Sequence, residues 1–340
     1  MRSDFVSSTA SSHQKTPLKQ KRRFLNHEAS IPGILDKNVF AKIAILKQLS
    51  SKKNNPVQPL PMQLLNTADF ANMPDQKLSV RWMGHSFLMI EWCGLRFLTD
   101  PVFKNAAPVP DIIPRYQNPP IQCHELPAVD FVLLSHNHYD HLEKSTIRWL
   151  KKRGCFFIVP SRLEKILKLW GVKSGKIISM QWGSSIRIAD LEICMTEARH
   201  FSGRTLLDKN KTLWASYVIR HDKQAIFFGG DGGYGKHFQE IGNEFGPFEL
   251  AFLEIDAWNE RWPSIHMTPA EAILAARDLK AHKLFPVHWG VFNLANHPWN
   301  ESIEKLWQIA GKEKMPLLTP VMGQKIYPET SSTEKWWDLP

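Results

Sequence analysis

The segment Ser135-His136-Asn137-His138-Tyr139-Asp140-His141-Leu142 constrains this chain more than any other feature. It puts three imidazoles and a carboxylate within six residues, directly after the apolar run VDFVLL. Alternate residues of an extended segment project to the same side. His136 and His138 can therefore grip one cation together. Once the chain turns, Asp140 and His141 can face a second. Nitrogen and oxygen donors at this density suit zinc-type ions. Packing alone gives no reason to gather four of them at the end of a strand.

Two cations need further donors, and later strand ends supply them. His200 closes LEICMTEARH, Asp231 closes AIFFGGD ahead of two glycines, and His288 closes KLFPVH. Each follows an apolar run, so one sheet edge can collect all three. Asp231 suits a bridging position, because a carboxylate has two oxygens and can span two cations.

The stretches LSVRWM, SFLMIEW and LRFLTDP, separated by Gly84-His85 and Cys93-Gly94, predict consecutive strands. VDFVLLS, CFFIVP, SIRIA, LEICMT, WASYVIR, QAIFFGG, ELAFLEI and HKLFPV predict more. VDFVLLS is almost wholly apolar, as expected of a sheet covered on both faces. Helices are predicted over 145–153 and 162–170, each stopped by a glycine, Gly154 or Gly171. Thr268-Pro269-Ala270-Glu271 reads as a capping box opening a helix to about Lys280. Asn300 is expected to cap a helix ending near Gly311. Strands interleaved with helices predict a layered α/β sandwich.

At 340 residues with 43% apolar content, the chain can build a sizeable core. Its net charge is +10, of which +8 falls within residues 1–53. The basic character thus belongs to an N-terminal arm, which invites contact with anionic lipid or nucleic acid. Residues 1–30 read as disordered, 34–50 as an amphipathic helix, and 50–61 as a linker. The expected organisation is an arm over 1–60, a catalytic domain over 75–328 and a C-terminal tail over 329–340. No apolar run approaches the ~18 residues of a membrane span, and no secretory leader is expected. Cys93, Cys123, Cys155 and Cys194 form no CxxC pair, so reduced thiols in the cytoplasm are expected.

HNHYDH, GGDGGY and the spaced histidines resemble the metallo-β-lactamase superfamily. Within it, WMGHSFLMIEWCGLRFLTDPVF, LLSHNHYDHL, GDGGYGKHFQEIGNEFGPFELAFLEIDAW and VHWGVFNLANHPWNE resemble N-acyl-phosphatidylethanolamine phospholipase D and its bacterial relatives. The resemblance covers about residues 78–325. It implies a four-layer αβ/βα sandwich and two zinc ions activating a shared hydroxide for attack on a phosphodiester. One zinc falls to His136, His138, His200 and Asp231. The other falls to Asp140, His141, Asp231 and His288, with Asp231 bridging. Asp140 and His266 are the candidate catalytic residues, His266 matching a family histidine beside the site. Two departures stand out. The family's Gly-Asp-Thr-Gly is Gly230-Asp231-Gly232-Gly233 here, and its Pro-Ile-Gly-Ala-Tyr is Glu254-Ile255-Asp256-Ala257-Trp258.

The expected substrate is a phospholipid-like or small-molecule diester, met by a cytoplasmic enzyme in peripheral contact with an anionic membrane surface. A lactonase or amidase uses the same metals. A nuclease fits poorly, because the body outside the arm is nearly neutral. A non-catalytic binding module has no need of seven intact donors. A di-iron redox protein is disfavoured, since that branch carries Glu where this chain has His138.

Overall fold

The computed structural model of the chain describes residues 6–10, 16–29, 52–107, 112–205, 207–331 and 334–338. Its strands, in chain order, are β1 (Val6–Ala10), β2 (Leu18–Gln20), β3 (Arg23–Leu25), β4 (Ser79–Gly84), β5 (Phe87–Trp92), β6 (Leu95–Thr99), β7 (Phe131–Leu133) and β8 (Phe156–Pro160). There follow β9 (Ile177–Met180), β10 (Ser184–Ile188), β11 (Leu191–Thr196), β12 (Ser216–His221), β13 (Gln224–Phe228), β14 (Leu250–Glu254), β15 (Leu284–Val287) and β16 (Lys325–Ile326). The described α-helices are α1 (Lys144–Leu150), α2 (Leu163–Leu169), α3 (His237–Phe245), α4 (Pro269–Asp278) and α5 (Glu301–Glu313).

Two seven-stranded sheets form, in the orders β16-β4-β5-β6-β7-β8-β9 and β1-β10-β11-β12-β13-β14-β15. Their apolar residues need cover on both faces, and the layering supplies it. Between the sheets, Phe97, Phe131 and Leu133 meet Tyr217, Ile219 and Phe228 in one continuous core. Tyr217 Oη crosses the gap and donates to the Leu134 carbonyl at 2.7 Å. On the outer face of the first sheet, Leu98, Val132 and Phe157 pack against Ile147 and Leu150 of α1 and Leu163 and Leu167 of α2. The side chains of β14 and β15 are covered by Ala272, Ile273 and Ala276 of α4 and Ile303 and Leu306 of α5. The result is the expected four-layer sandwich. Each fully buried Val, Leu, Ile or Phe contributes on the order of 1.5–3 kcal/mol.

Each sheet joins an antiparallel part to a parallel part. β6 runs parallel to β7, β7 to β8 and β8 to β9. β13 runs parallel to β14, and β14 to β15. Parallel strands end on the same side, and ligands bind outside such carboxyl ends. Asp100, His136, Asp231, Glu254 and His288 all lie at or just beyond the ends of β6, β7, β13, β14 and β15.

Local signals hold in most places. Gly154 takes φ +80° at the end of the helical stretch begun by α1, and Gly171 takes φ +84° after α2. Thr268 accepts from the Glu271 N–H while the Glu271 side chain returns to the Thr268 N–H, closing the capping box. Asn300 differs: it precedes α5 without a side-chain cap bond. Gly311 does not stop α5, which runs on to Glu313 and ends at a left-handed Lys314.

The expectation of disorder over residues 1–30 is corrected by the described segments. β1 pairs antiparallel with β10 at the sheet edge, using backbone groups that any composition carries. β2 and β3 form a hairpin anchored by Phe24, which is 1% exposed. Within the stretch read as a linker, Leu60 is buried and its N–H donates to Gln117 Oε1 at 2.9 Å. The helix expected at 34–50 lies outside the described residues. In the C-terminal tail, Trp337 is fully buried against Trp289 and Trp307. No helix among the described residues is long and apolar enough to cross a membrane.

Candidate metal centre

Four carboxyl-end loops and one strand–strand turn meet in a buried cluster. The seven donors read from the sequence are all in it. His136, His138, His200 and Asp231 form one group whose ligating atoms lie within 4.8 Å of one another. Asp140, His141 and His288 form a second, together with His85. Asp231 serves both: its Oδ2 is 3.7 and 3.8 Å from Nε2 of His136 and His200, and 3.0 and 3.1 Å from Nε2 of His141 and His288. Asp140 Oδ2 lies 3.3 Å from His141 Nε2 and 3.4 Å from His288 Nε2.

The hydrogen-bond network fixes which ring nitrogens face inward. Ser135 Oγ donates to Asp100 Oδ2 at 2.5 Å, so it accepts from His136 Nδ1–H at 2.9 Å. That leaves His136 Nε2 bare. His141 Nδ1–H donates to the same Asp100 oxygen at 2.8 Å, and His200 Nδ1–H donates to the Ile265 carbonyl at 3.2 Å. The bare His136 Nε2 stands 2.7 Å from His138 Nδ1, which stands 3.3 Å from His200 Nε2. A cation among the three nitrogens satisfies them together, whereas a proton on His138 Nδ1 serves one of the two contacts. Nε2 of His141 and His288 and Oδ1 of Asp231 are also buried without a hydrogen-bond partner. Such a donor set, oriented from behind by a carboxylate and a carbonyl, fits a bound metal ion.

Electrostatics sharpens this. Burial pushes His136 and His200 well below the usual histidine range and His138 down to about 4. Burial also disfavours charge on His141 and His288, but Asp231 and Asp140 outweigh it, raising His141 and bringing His288 to about 10. The Asp231 and Asp140 carboxyls resist burial through neighbouring histidines, His141 foremost, and sit well below the carboxylate range.

Asp100 and His85 escape sequence reasoning, and Glu254 is marked there only as a departure from the resembling family. Asp100, at the end of LTD, orients His141 and Ser135. His85, in a turn read only as a strand break, places Nε2 3.0 Å from Asp140 Oδ2 and packs edge-on against Phe292. Asp100, His85 and His288 adopt φ of 38°, 57° and 65°, a region costing non-glycine residues on the order of 1–3 kcal/mol and concentrated at functional sites. Glu254 is 1% exposed; its Oε1 accepts from the N–H groups of Gly232 (2.9 Å) and Met267 (3.2 Å), and its Oε2 lies 2.7 Å from His266 Nδ1. Burial pushes its carboxyl up, with His266 working against that. His266 sits beside the centre, its ring 5.3 Å from those of His200 and His288. Asp256 is turned away: it accepts from Ser302 Oγ at 2.7 Å and faces His297 at 3.1 Å, tying α5 down.

Gly230 illustrates how tightly the loop around Asp231 is built. It takes φ +60°, and a Cβ there would meet Ser135 Cβ at 2.7 Å.

A sheet sandwich with two overlapping groups of metal donors at its strand ends defines a metal-dependent hydrolase. Residues 95–289 match the β-lactamase superfamily domain, and the chain belongs to the metallo-β-lactamase superfamily. It is 37% identical over 333 residues to an uncharacterized protein of Mycobacterium tuberculosis, covering 96% of this chain and 88% of that one. It is 30% identical over 260 residues to N-acyl-phosphatidylethanolamine-hydrolyzing phospholipase D 1 of Caenorhabditis elegans, covering 72% of each. The fold is shared with Igni18, a metallo hydrolase from the archaeon Ignicoccus hospitalis, at a TM-score of 0.57 and 20% identity, over 73% of this chain and 97% of that one.

Proposed function

We propose that this hydrolase is a two-zinc phosphodiesterase acting on a phospholipid-like substrate. The observation that carries the reading is that Asp231, a member of the group with His136, His138 and His200, also places Oδ2 3.0 and 3.1 Å from Nε2 of His141 and His288 in the adjoining group. His136, His138, His200 and Asp231 are assigned to one ion, and Asp140, His141, Asp231 and His288 to the other. Five imidazoles to two carboxylates is a nitrogen-rich set that suits zinc over hard, oxygen-seeking cations. The substrate class is supported by the C. elegans relative, whose name specifies hydrolysis of an N-acylated phospholipid.

When bound, the ion pair supplies Lewis acidity and an acidified water. The protein's part is orientation and proton handling. Asp100 orients His141 directly and His136 through Ser135, Asp140 is braced by His85, and burial excludes bulk water. His266, next to both donor groups, is assigned the transfer of a proton to the departing alcohol. Assay of the purified protein against N-acyl phospholipids, simple phosphodiesters and lactones tests the reading. Turnover of lactones with inert diesters would replace it with a lactonase.

Peripheral contact with an anionic membrane belongs to the same reading. Leu18 and Leu25 face each other across the hairpin, 46% and 37% exposed, and Leu169 and Leu207 are 84% and 78% exposed. Lys19, Lys21, Arg22, Arg23, Lys209 and Lys211 are exposed around them. The hairpin joins the loop after His200, with the Phe24 N–H donating to the Asn210 carbonyl and Arg23 Nη1 to the Lys209 carbonyl, both at 2.9 Å. That loop borders the metal motif: Arg204 Nη1 donates to the Asn137 and Leu142 carbonyls and stacks on Tyr139. Basic charge with apolar tips at the site rim suits an anionic lipid surface. Four free cysteines agree with a cytoplasmic setting.

A further inference from the structure

We propose that Glu254 is a positioning residue that fixes His266 in its Nδ1–H form and leaves Nε2 as the nitrogen that handles the proton of the reaction. The proposal deepens the role given to His266 above and rests on it.

With Glu254 ionised, the geometry admits one proton arrangement. Glu254 Oε1 is committed to two backbone donors, the N–H groups of Gly232 and Met267. Its Oε2 is left for His266 Nδ1 at 2.7 Å. An ionised carboxylate only accepts, so Nδ1 carries the hydrogen and the Nε2 lone pair stays free. The acceptor is nearly sealed from water, with 1% of its surface exposed, so no solvent competes for the bond. The same carboxylate also ties together two segments of the site. Gly232 follows Asp231, and Met267 follows His266. Glu254 therefore sets the ring's orientation relative to the metal donors as well as its tautomer.

The chemistry needs this. Hydrolysis of a diester forms a P–OH bond from water and breaks the P–O bond to the alcohol. One proton passes from the water to the departing oxygen. A ring anchored at Nδ1 with Nε2 bare can take that proton and hand it on, ending in the state in which it began. The opposite tautomer presents a hydrogen where a lone pair is required.

Glu254→Gln is the discriminating variant. The two backbone N–H groups demand an oxygen at the Oε1 position, so the amide NH2 must turn toward His266 Nδ1. A donor there forces Nδ1 to accept and moves the hydrogen to Nε2. The experiment is long-range ¹⁵N–¹H correlation spectroscopy on the full-length, zinc-loaded protein labelled at histidine, with the His266 signals identified by their loss in His266→Gln. The wild type should show a protonated Nδ1. Glu254→Gln should show a protonated Nε2, with kcat lowered roughly 10–100-fold and KM and zinc content unchanged. A wild-type His266 protonated at Nε2 overturns the proposal without any variant, so it stays decidable even if Glu254→Gln folds poorly. A tautomer switch with unchanged kcat overturns it as well. Full activity in His266→Gln overturns instead the assignment of His266 to the reaction.

Discussion

Oδ2 of Asp231 lies 3.0 Å from Nε2 of His141, both fully buried, and the same oxygen reaches His288 at 3.1 Å. One carboxylate thus stands between two donor groups. Asp231→Ala removes a donor from each and leaves two cations facing without a bridge. Activity should fall by orders of magnitude, beyond the roughly 10–100-fold typical of a residue that only supports a ligand. Kinetics of Asp231→Ala beside His266→Ala checks this; a worse defect in His266→Ala refutes the bridge.

Protein purified without added metal should carry about two transition-metal equivalents, mainly zinc, because structural and catalytic zinc sites of this donor type bind tightly. Elemental analysis before and after chelation is the measurement. A fully folded, metal-free preparation with unchanged activity contradicts it.

Metal uptake should release protons. In the metal-free chain burial opposes charge on His288 and His141, but the neighbouring Asp231 and Asp140 carboxylates push His288 up to about 10 and raise His141 as well. Both therefore hold their protons at neutral pH and must lose them to ligate. Apparent affinity should climb with pH through the neutral range and level off once pH passes the raised values. Calorimetry in buffers of different ionisation enthalpy should register about two or more protons released per protein at pH 7.5. Zero release would falsify the ligand roles of both histidines.

Asp100→Asn tests the support behind the centre. Asp100 accepts from the Ser135 N–H at 2.7 Å, from Ser135 Oγ and from His141 Nδ1. An amide has one oxygen, so either the bond from the Ser135 N–H or both bonds at the Oδ2 position are lost. Metal affinity in chelator competition should drop roughly 10–100-fold with the fold intact. Unchanged affinity means the tautomers are held by something else.

Charge reversal at Lys21, Arg22 and Lys211 should abolish co-sedimentation with anionic vesicles and spare turnover of a small soluble diester. Deleting residues 1–53 is a poorer test, since it also removes β1 and the Phe24 anchor. Raised salt should weaken wild-type binding, because surface charge is screened within about 8–10 Å near physiological ionic strength. Equal binding by both proteins eliminates the docking surface.

The metal donors were legible in the sequence because chemistry there is local. His136, His138, Asp140 and His141 are adjacent in the chain, and His200, Asp231 and His288 each follow an apolar strand that announces a sheet edge. The strands and the glycine-stopped helices were legible for the same reason, since periodicity and φ preference act over a few residues. What only the tertiary structure decided depends on contacts across the chain. His85, Asp100 and Glu254 have ordinary sequence surroundings, and their roles appear only when β4, β6 and β14 bring them behind Asp140, His141 and His266. Residues 16–29 look disordered by composition, yet Phe24 finds a buried site and the hairpin hydrogen-bonds to a loop some 180 residues away. Composition reports how much apolar surface a segment owns; only the folded neighbours determine whether a single aromatic and a row of backbone groups suffice to hold it.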